Sequence, residues 1–148
     1  MYAGAFASPN PRSTLVAGGG FFVAGPDGLY MARFGWAHPS SGLAHSHRVA
    51  DSLLGLVQPI GGFRRQLTAP RGDGIVIRPG YQVTLFGAGD FFMRFDAGAL
   101  FGAPVYASEV DGKAISGEAV GAELTPWRVA QGCGPGGLAI ISTWSTFQ

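Results

Sequence analysis

The stretch that decides the fold runs over residues 89–117, GDFFMRFDAGALFGAPVYASEVDGKAISG, and resumes over residues 125–144, TPWRVAQGCGPGGLAIISTW. Short apolar runs alternate here with glycine turns. In Phe91-Phe92-Met93-Arg94-Phe95 the odd positions share one face of a strand and Phe92 and Arg94 the other, because successive strand side chains point to opposite sides. Asp111-Gly112 lies between Val105-Tyr106-Ala107-Ser108-Glu109 and a short following strand, and is the dipeptide favoured by a two-residue hairpin with positive φ. Residues 127–131 and 138–144 read as two more strands. The loop joining them, Gly132-Cys133-Gly134-Pro135-Gly136-Gly137, is incompatible with a helix interior. The whole stretch predicts a sheet, with Trp144 pinning the last strand into it.

Working outward, residues 83–86 and 75–77 read as further strands, and the runs Gly87-Ala88-Gly89-Asp90, Arg78-Pro79-Gly80-Tyr81 and Pro70-Arg71-Gly72-Asp73-Gly74 read as turns between them. Residues 63–67 predict another strand. Phe21-Phe22-Val23-Ala24, the turn Gly25-Pro26-Asp27-Gly28 and residues 29–34 predict a hairpin that is apolar on both faces. Residues 35–62 are the least legible, irregular or strand, with Leu53, Leu54 and Val57 at the spacing of a short helix over residues 49–57 that Gly55 weakens. Strands thus recur about every ten residues, the rhythm of a small barrel or sandwich. Residues 1–20 hold Ser, Pro, Gly and small apolar side chains without a period, and predict an extended N-terminal arm that reaches a neighbour or frays. The expected organisation is therefore all-β: an arm over 1–20 and one β-barrel or jelly-roll-like sandwich domain over 21–148.

Composition bounds the partners. A chain of 148 residues has room for a real core, and its formal net charge of +1 gives no bulk attraction to nucleic acid or to an anionic membrane. Only 13% of residues are charged while 47% are hydrophobic, so some apolar surface is expected to meet another subunit or protein. Nine of the ten basic residues are Arg and the other is Lys113, which suits bidentate and stacking contacts at interfaces. The single Cys133 cannot form an internal disulfide, no apolar run is long enough to span a membrane, and residues 1–7 lack a secretory pattern. These features fit synthesis in a cytoplasm.

Beyond composition, a family pattern shows in the strand and turn motifs. Tyr30-Met31-Ala32-Arg33-Phe34-Gly35-Trp36-Ala37, Ile77-Arg78-Pro79-Gly80, Gly89-Asp90-Phe91-Phe92, and Gly102-Ala103-Pro104-Val105-Tyr106-Ala107 with Asp111-Gly112 together resemble the structural cement, or head decoration, proteins of tailed bacteriophages. The closing Thr125-Pro126-Trp127-Arg128-Val129, the glycine loop and Leu138-Ala139-Ile140-Ile141-Ser142-Thr143-Trp144 look like that family's ending. The resemblance covers roughly residues 18–144. It implies a homo-oligomer, dimer or trimer, that binds the outer surface of the major capsid protein lattice and stabilises the mature head. It implies a virion location after synthesis in the host cytoplasm, no enzyme activity, no cofactor, and no nucleic-acid or membrane partner.

The resemblance supplies no contact residues, so interface candidates are chosen by residue type, as aromatic and Arg side chains beside turns. They are Arg33, Trp36, Arg64, Arg65, Tyr81, Arg94, Tyr106, Trp127, Arg128 and Trp144; Trp127 and Trp144 read equally well as core. Three motifs point elsewhere. His45-Ser46-His47 would project two imidazoles to one face of a strand, with Asp51 as a carboxylate partner. It faintly resembles the first metal motif of a cupin enzyme, but Thr84 stands near the place of the second motif's histidine. Histidines in a polar loop are the plainer reading. Arg71-Gly72-Asp73 spells an integrin-binding tripeptide, the basis of a tail or fibre adhesin alternative, and is first of all a turn. The glycine loops lack the remainder of a phosphate-binding or dinucleotide fingerprint, and Cys133 has no base beside it in sequence.

Overall fold

The computed structural model describes residues 2–16, 21–58 and 68–144. Among them every regular element is a strand. In chain order these are β1 (Ser13–Thr14), β2 (Phe22–Ala24), β3 (Leu29–Tyr30), β4 (Phe34–Ala37), β5 (Leu43–His45), β6 (Leu53–Val57), β7 (Thr68–Arg71) and β8 (Gly74–Ile77). They continue as β9 (Gln82–Val83), β10 (Leu85–Ala88), β11 (Asp90–Phe95), β12 (Pro104–Ser108), β13 (Ala114–Ser116), β14 (Ala122–Gln131) and β15 (Gly137–Ser142).

Three sheets result. Sheet A has the order β11-β15-β14-β12-β13, sheet B the order β1-β10-β6-β4-β5-β2-β9, and sheet C the order β3-β8-β7. Sheet B is the middle layer, because its strands feed two separate cores. Phe34, Trp36, Leu56 and Phe86 face sheet A and pack with Phe91, Met93, Phe95, Val105, Trp127 and Ile141. Ala37, Val57 and Leu85 face the other way, with Phe22 and Val83, onto Leu29 and Ile77 of sheet C. A strand apolar on both faces must be covered on both, and β4, buried at all four positions, is the clearest case.

The tail behaves as its pattern predicts. Along β11 the odd residues Phe91, Met93 and Phe95 are buried and Arg94 is exposed. β11 pairs with β15 over six residues, and β15 pairs with β14. Thr125, Trp127 and Val129 of β14 point inward, between exposed Leu124, Pro126 and Arg128. The Asp111-Gly112 hairpin also forms, β12 against β13, but its loop is longer than two residues: Ser108 N–H still bonds Lys113 O (2.9 Å), and only Gly112 of the dipeptide has positive φ. A two-residue turn stands instead at Gly72-Asp73, where Arg71 pairs with Gly74 across β7 and β8.

Elsewhere local signals do not name the right partner. The 21–34 segment has its turn, with Gly28 N–H bonding Gly25 O, yet β2 joins β5 and β9 in sheet B while β3 joins β8 in sheet C. No hairpin forms, since the turn carries the chain from one layer to another. Residues 53–57 are strand β6, not a helix, paired on one side with β4 and on the other with β10, and Gly55 sits where a Cβ would come within 2.8 Å of Leu15 and 2.9 Å of Leu85. The predicted turn at residues 87–90 narrows to Gly89 alone (φ +135°), the point at which one extended run passes from β10 in sheet B to β11 in sheet A. The strand predicted over 63–67, and with it Arg64 and Arg65, lies outside the described residues.

The described part of the N-terminal segment follows that run. Ala7 N–H bonds Asp90 O, Phe92 N–H bonds Ala5 O, and β1 pairs with β10, so residues 4–14 line the free edges of both sheets of their own chain. Covering two exposed edges with one strand removes two sites of unwanted pairing.

Candidate functional site

Sheets A, B and C meet at a charged junction. Arg33, just ahead of β4, stacks its guanidinium 3.9 Å over the Tyr30 ring and donates to Asp73 Oδ1 at 2.8 Å. Lys113, ahead of β13, donates to Asp73 Oδ2 at 2.7 Å and to Asp96 Oδ2 at 3.1 Å. The hydrogen bonds from Lys113 and Arg33 hold the Asp73 carboxyl down at about 2, and the two carboxylates push the Lys113 ammonium up. Each pair is solvent-screened and weak by itself, and the network links loops of all three sheets: Arg33 before β4, Asp73 between β7 and β8, Asp96 after β11 and Lys113 before β13. Beside it opens a cleft of about 340 Å³ with Met31, Ile75 and Met93 on its walls and Arg33, Arg94, Asp73 and Lys113 at its rim. Its make-up, apolar walls with charged groups at the rim, suits an apolar side chain with a charged neighbour.

A buried carboxylate governs the arm. Asp90, 7% exposed, accepts hydrogen bonds from Ser8 Oγ (2.6 Å), Asn10 Nδ2 (2.7 Å) and Ser142 Oγ. Burial pushes this carboxyl up, and the hydrogen bonds from Ser142, Ser8 and Asn10 push it down by more, so it lies below its ordinary value. Phe6 packs against Phe86 and Phe91, Arg12 lies 3.7 Å over the Phe6 ring, and Trp144 Nε1 donates to Pro11 O at 2.7 Å.

The interface candidates separate on this frame. Trp36 and Trp127 are core, 1% and 0% exposed; Trp127 Nε1 donates to Gly89 O (2.9 Å) at the sheet-to-sheet crossing. Neither ring faces a partner, because inward strand positions carry both. Arg33 is spent on the junction. Trp144 stands outside the sheet, 52% exposed, and clips the arm rather than pinning the last strand. Tyr81 is exposed in the turn before β9. Arg94, Tyr106 and Arg128 lie at outward positions of sheet A, Tyr106 and Arg128 on the adjacent strands β12 and β14 and Arg94 on β11 at the far edge. Residue type alone missed the aliphatic and phenyl surface next to them: Leu100 and Phe101 are 77% and 71% exposed, and Leu124 is 57% exposed. The available signal was a pair of large apolar residues directly before a turn glycine.

The three chemical motifs resolve as follows. His45 ends β5 and His47 follows it in a bend, with ring centroids 5.2 Å apart. Burial, then the neighbouring His47, lowers the His45 pKa, and Asp27 opposes this. Among the described residues no three His, Cys, Asp or Glu side chains converge on a metal position. Arg71 and Asp73 of the tripeptide are both engaged, Arg71 with Asp27 O and Asp73 with the junction. Cys133 is half-buried and acts through its backbone, exchanging hydrogen bonds with Ala99 (3.0 and 3.1 Å).

Fold and site together define a class: an all-β body that presents aliphatic, aromatic and Arg side chains from its strands and the loops between them. The sequence profile of the XM1 gp53 minor capsid protein family matches residues 1–143, and the chain belongs to that family. Membership gives it a capsid-associated structural role in a phage virion. A chain of a solved structure described as "The capsid of Myoviridae Phage XM1" superposes with a TM-score of 0.65 at 18% identity, over 97% of this chain and 89% of that one, so the two share a fold. Among curated proteins none matches. The phage-capsid resemblance read from the strand and turn motifs is borne out at this level, as is the all-β class.

Proposed function

We propose that the chain is a capsid decoration, or cement, protein. It binds the outer surface of the major capsid protein lattice as a homo-oligomer, a dimer or a trimer, and stabilises the mature head. It is a clamp and not an enzyme, made in the host cytoplasm, with no nucleic-acid or membrane partner. Residues 1–20 form its arm and 21–148 its body. One observation carries this reading. In a chain of a minor capsid family, Leu100, Phe101, Val110, Val120 and Leu124, five of the large apolar side chains that are more than half exposed, lie on sheet A or in the loops that join its strands. Large apolar side chains collected in this way mark a surface meant to be covered.

The mechanism is linkage. A protein that binds the mature lattice and not its precursor stabilises the mature state in proportion to the logarithm of its free concentration over Kd, about 2.7 kcal/mol per site at a hundredfold excess. Repetition of the site over a lattice lets modest contacts sum by avidity. The test is to delete the gene and challenge the heads with heat, dilution and chelator. Heads without the protein are expected to rupture under milder conditions, with protection restored by adding back the purified chain. Equal survival of the two kinds of head would overturn the cement role.

A further inference from the structure

The outward positions of sheet A break the rule for a sheet that faces water. Such a sheet alternates apolar inside with polar outside, yet along β14 the outward residues are Leu124, Pro126 and Arg128, all exposed. Tyr106 of β12 pairs with Leu124, and Pro104 pairs with Arg128. β14 is bonded on both sides, by β12 and β15, so this row cannot move as an edge strand would.

The row continues into the loop between β11 and β12. Ala99 exchanges two backbone hydrogen bonds with Cys133, Leu100 N–H bonds Ser116 Oγ (3.2 Å), Gly102 N–H bonds Val129 O (2.8 Å), and Ala103 N–H bonds Leu100 O (3.1 Å). With Gly102 at φ +81°, the last of these bonds closes a type II turn whose leading corner is Phe101. Arg128 Nη1 donates to Gly102 O at 3.0 Å and ties the loop to β14. A loop fixed by five backbone amides still holds Leu100 and Phe101 more than two-thirds in water. Its ordering cost has been met in folding, so burying those two side chains against a partner needs little further loss of freedom.

Charge selects the partner. Among the outward strand positions of sheet A the cations are Arg94 and Arg128, and the carboxylate, Asp90, is covered by the arm. A second copy presenting the same face would set cation against cation. We infer that the ridge of Leu100, Phe101, Leu124, Pro126 and Arg128 is the face that meets the capsid shell, and that it meets an apolar surface edged with carboxylates. This rests on the capsid-binding reading above.

The test uses the full-length chain and heads assembled without it, with occupancy measured against concentration at several ionic strengths. Phe101→Ser and Leu124→Ser are each expected to weaken binding by about tenfold or more, while near-UV circular dichroism stays that of the wild type. Arg128→Gln should weaken it by about three- to tenfold and flatten the salt dependence. Phe21→Ser, an exposed aromatic directly before β2 of sheet B, should bind as the wild type does. Heads that retain Phe101→Ser and Leu124→Ser as well as the wild type would overturn this face and leave the capsid reading standing. Heads that fail to retain even the wild type would overturn both. A free chain whose self-association is lost in Phe101→Ser would assign the ridge to a second copy, and binding of Arg128-dependent oligonucleotide would assign it to nucleic acid; either result overturns the inference.

Discussion

Gly112 and Gly121 share a φ of +73° and differ in what surrounds them. A Cβ on Gly121 would meet nothing within 4 Å, whereas one on Gly112 would lie 2.1 Å from Phe34 O. Gly112 is where the β12–β13 loop lies directly on β4, with Phe34 N–H bonding Gly112 O at 2.9 Å, so its missing side chain lets sheet A close onto sheet B. Gly121→Ala should cost only the left-handed backbone penalty, about 1 kcal/mol. Gly112→Ala adds a backbone clash and should cost at least about 2 kcal/mol more. Urea unfolding of the two variants measures the difference, and equal midpoints would show that the contact relaxes freely. A sequence reader sees the Asp-Gly dipeptide and infers a turn at Gly112. The close approach to Phe34, 78 positions upstream, leaves no local trace.

At the scale of elements, the arm hangs on one carboxylate. Asp90 receives bonds from Ser8 and Asn10 of the arm and from Ser142 of β15, and its folded pKa is lowered from 3.8. A depressed carboxyl contributes stability that is present above the unfolded value and is lost as pH falls through the folded value. The arm should therefore stay docked at neutral pH and loosen only below 3.8. The indole N–H of Trp144, bonded to Pro11 O, reports this directly by nuclear magnetic resonance. Its signal is expected to move toward the free position in acid, and to sit there already at neutral pH in Asp90→Asn, where an amide N–H₂ faces the arm's donors. An unmoved signal through the acid range would remove Asp90 as the pin. The tail strands were legible because each buries one face, and the period of two survives in Phe91, Met93 and Phe95. The β2–β3 segment was misread because a Gly-Pro-Asp-Gly turn fixes only a change of direction, and which sheet receives the next strand depends on distant β8 and β9. Of the candidate site, the Arg positions on sheet A were legible by type. The exposed Leu100-Phe101 pair was not, since apolar residues in sequence read as core until the fold turns them outward.

For the molecule as a whole, the decisive fact is that sheet B belongs to both cores. Phe34 and Trp36 of β4 enter the core shared with sheet A, and Ala37, on the same short strand, enters the core shared with sheet C. Damage to either core should then reach the other through β4, β6 and β10, and the described layers should unfold in one transition. Leu29→Ala in the B–C core and Ile141→Ala in the A–B core, each at a position 0% exposed, should each cost about 2–5 kcal/mol. The buried Trp36 and Trp127 lie only in the A–B core, so their fluorescence is a one-sided reporter of a two-sided event. Leu29→Ala is expected to shift the tryptophan transition to lower denaturant as far as circular dichroism shifts, with an unchanged slope. A tryptophan transition that ignored Leu29→Ala would mean that sheets A and B hold without sheet C. The rigidity of the ridge on sheet A would then owe nothing to the third layer, and the junction at Asp73 would be a surface contact between separately stable parts.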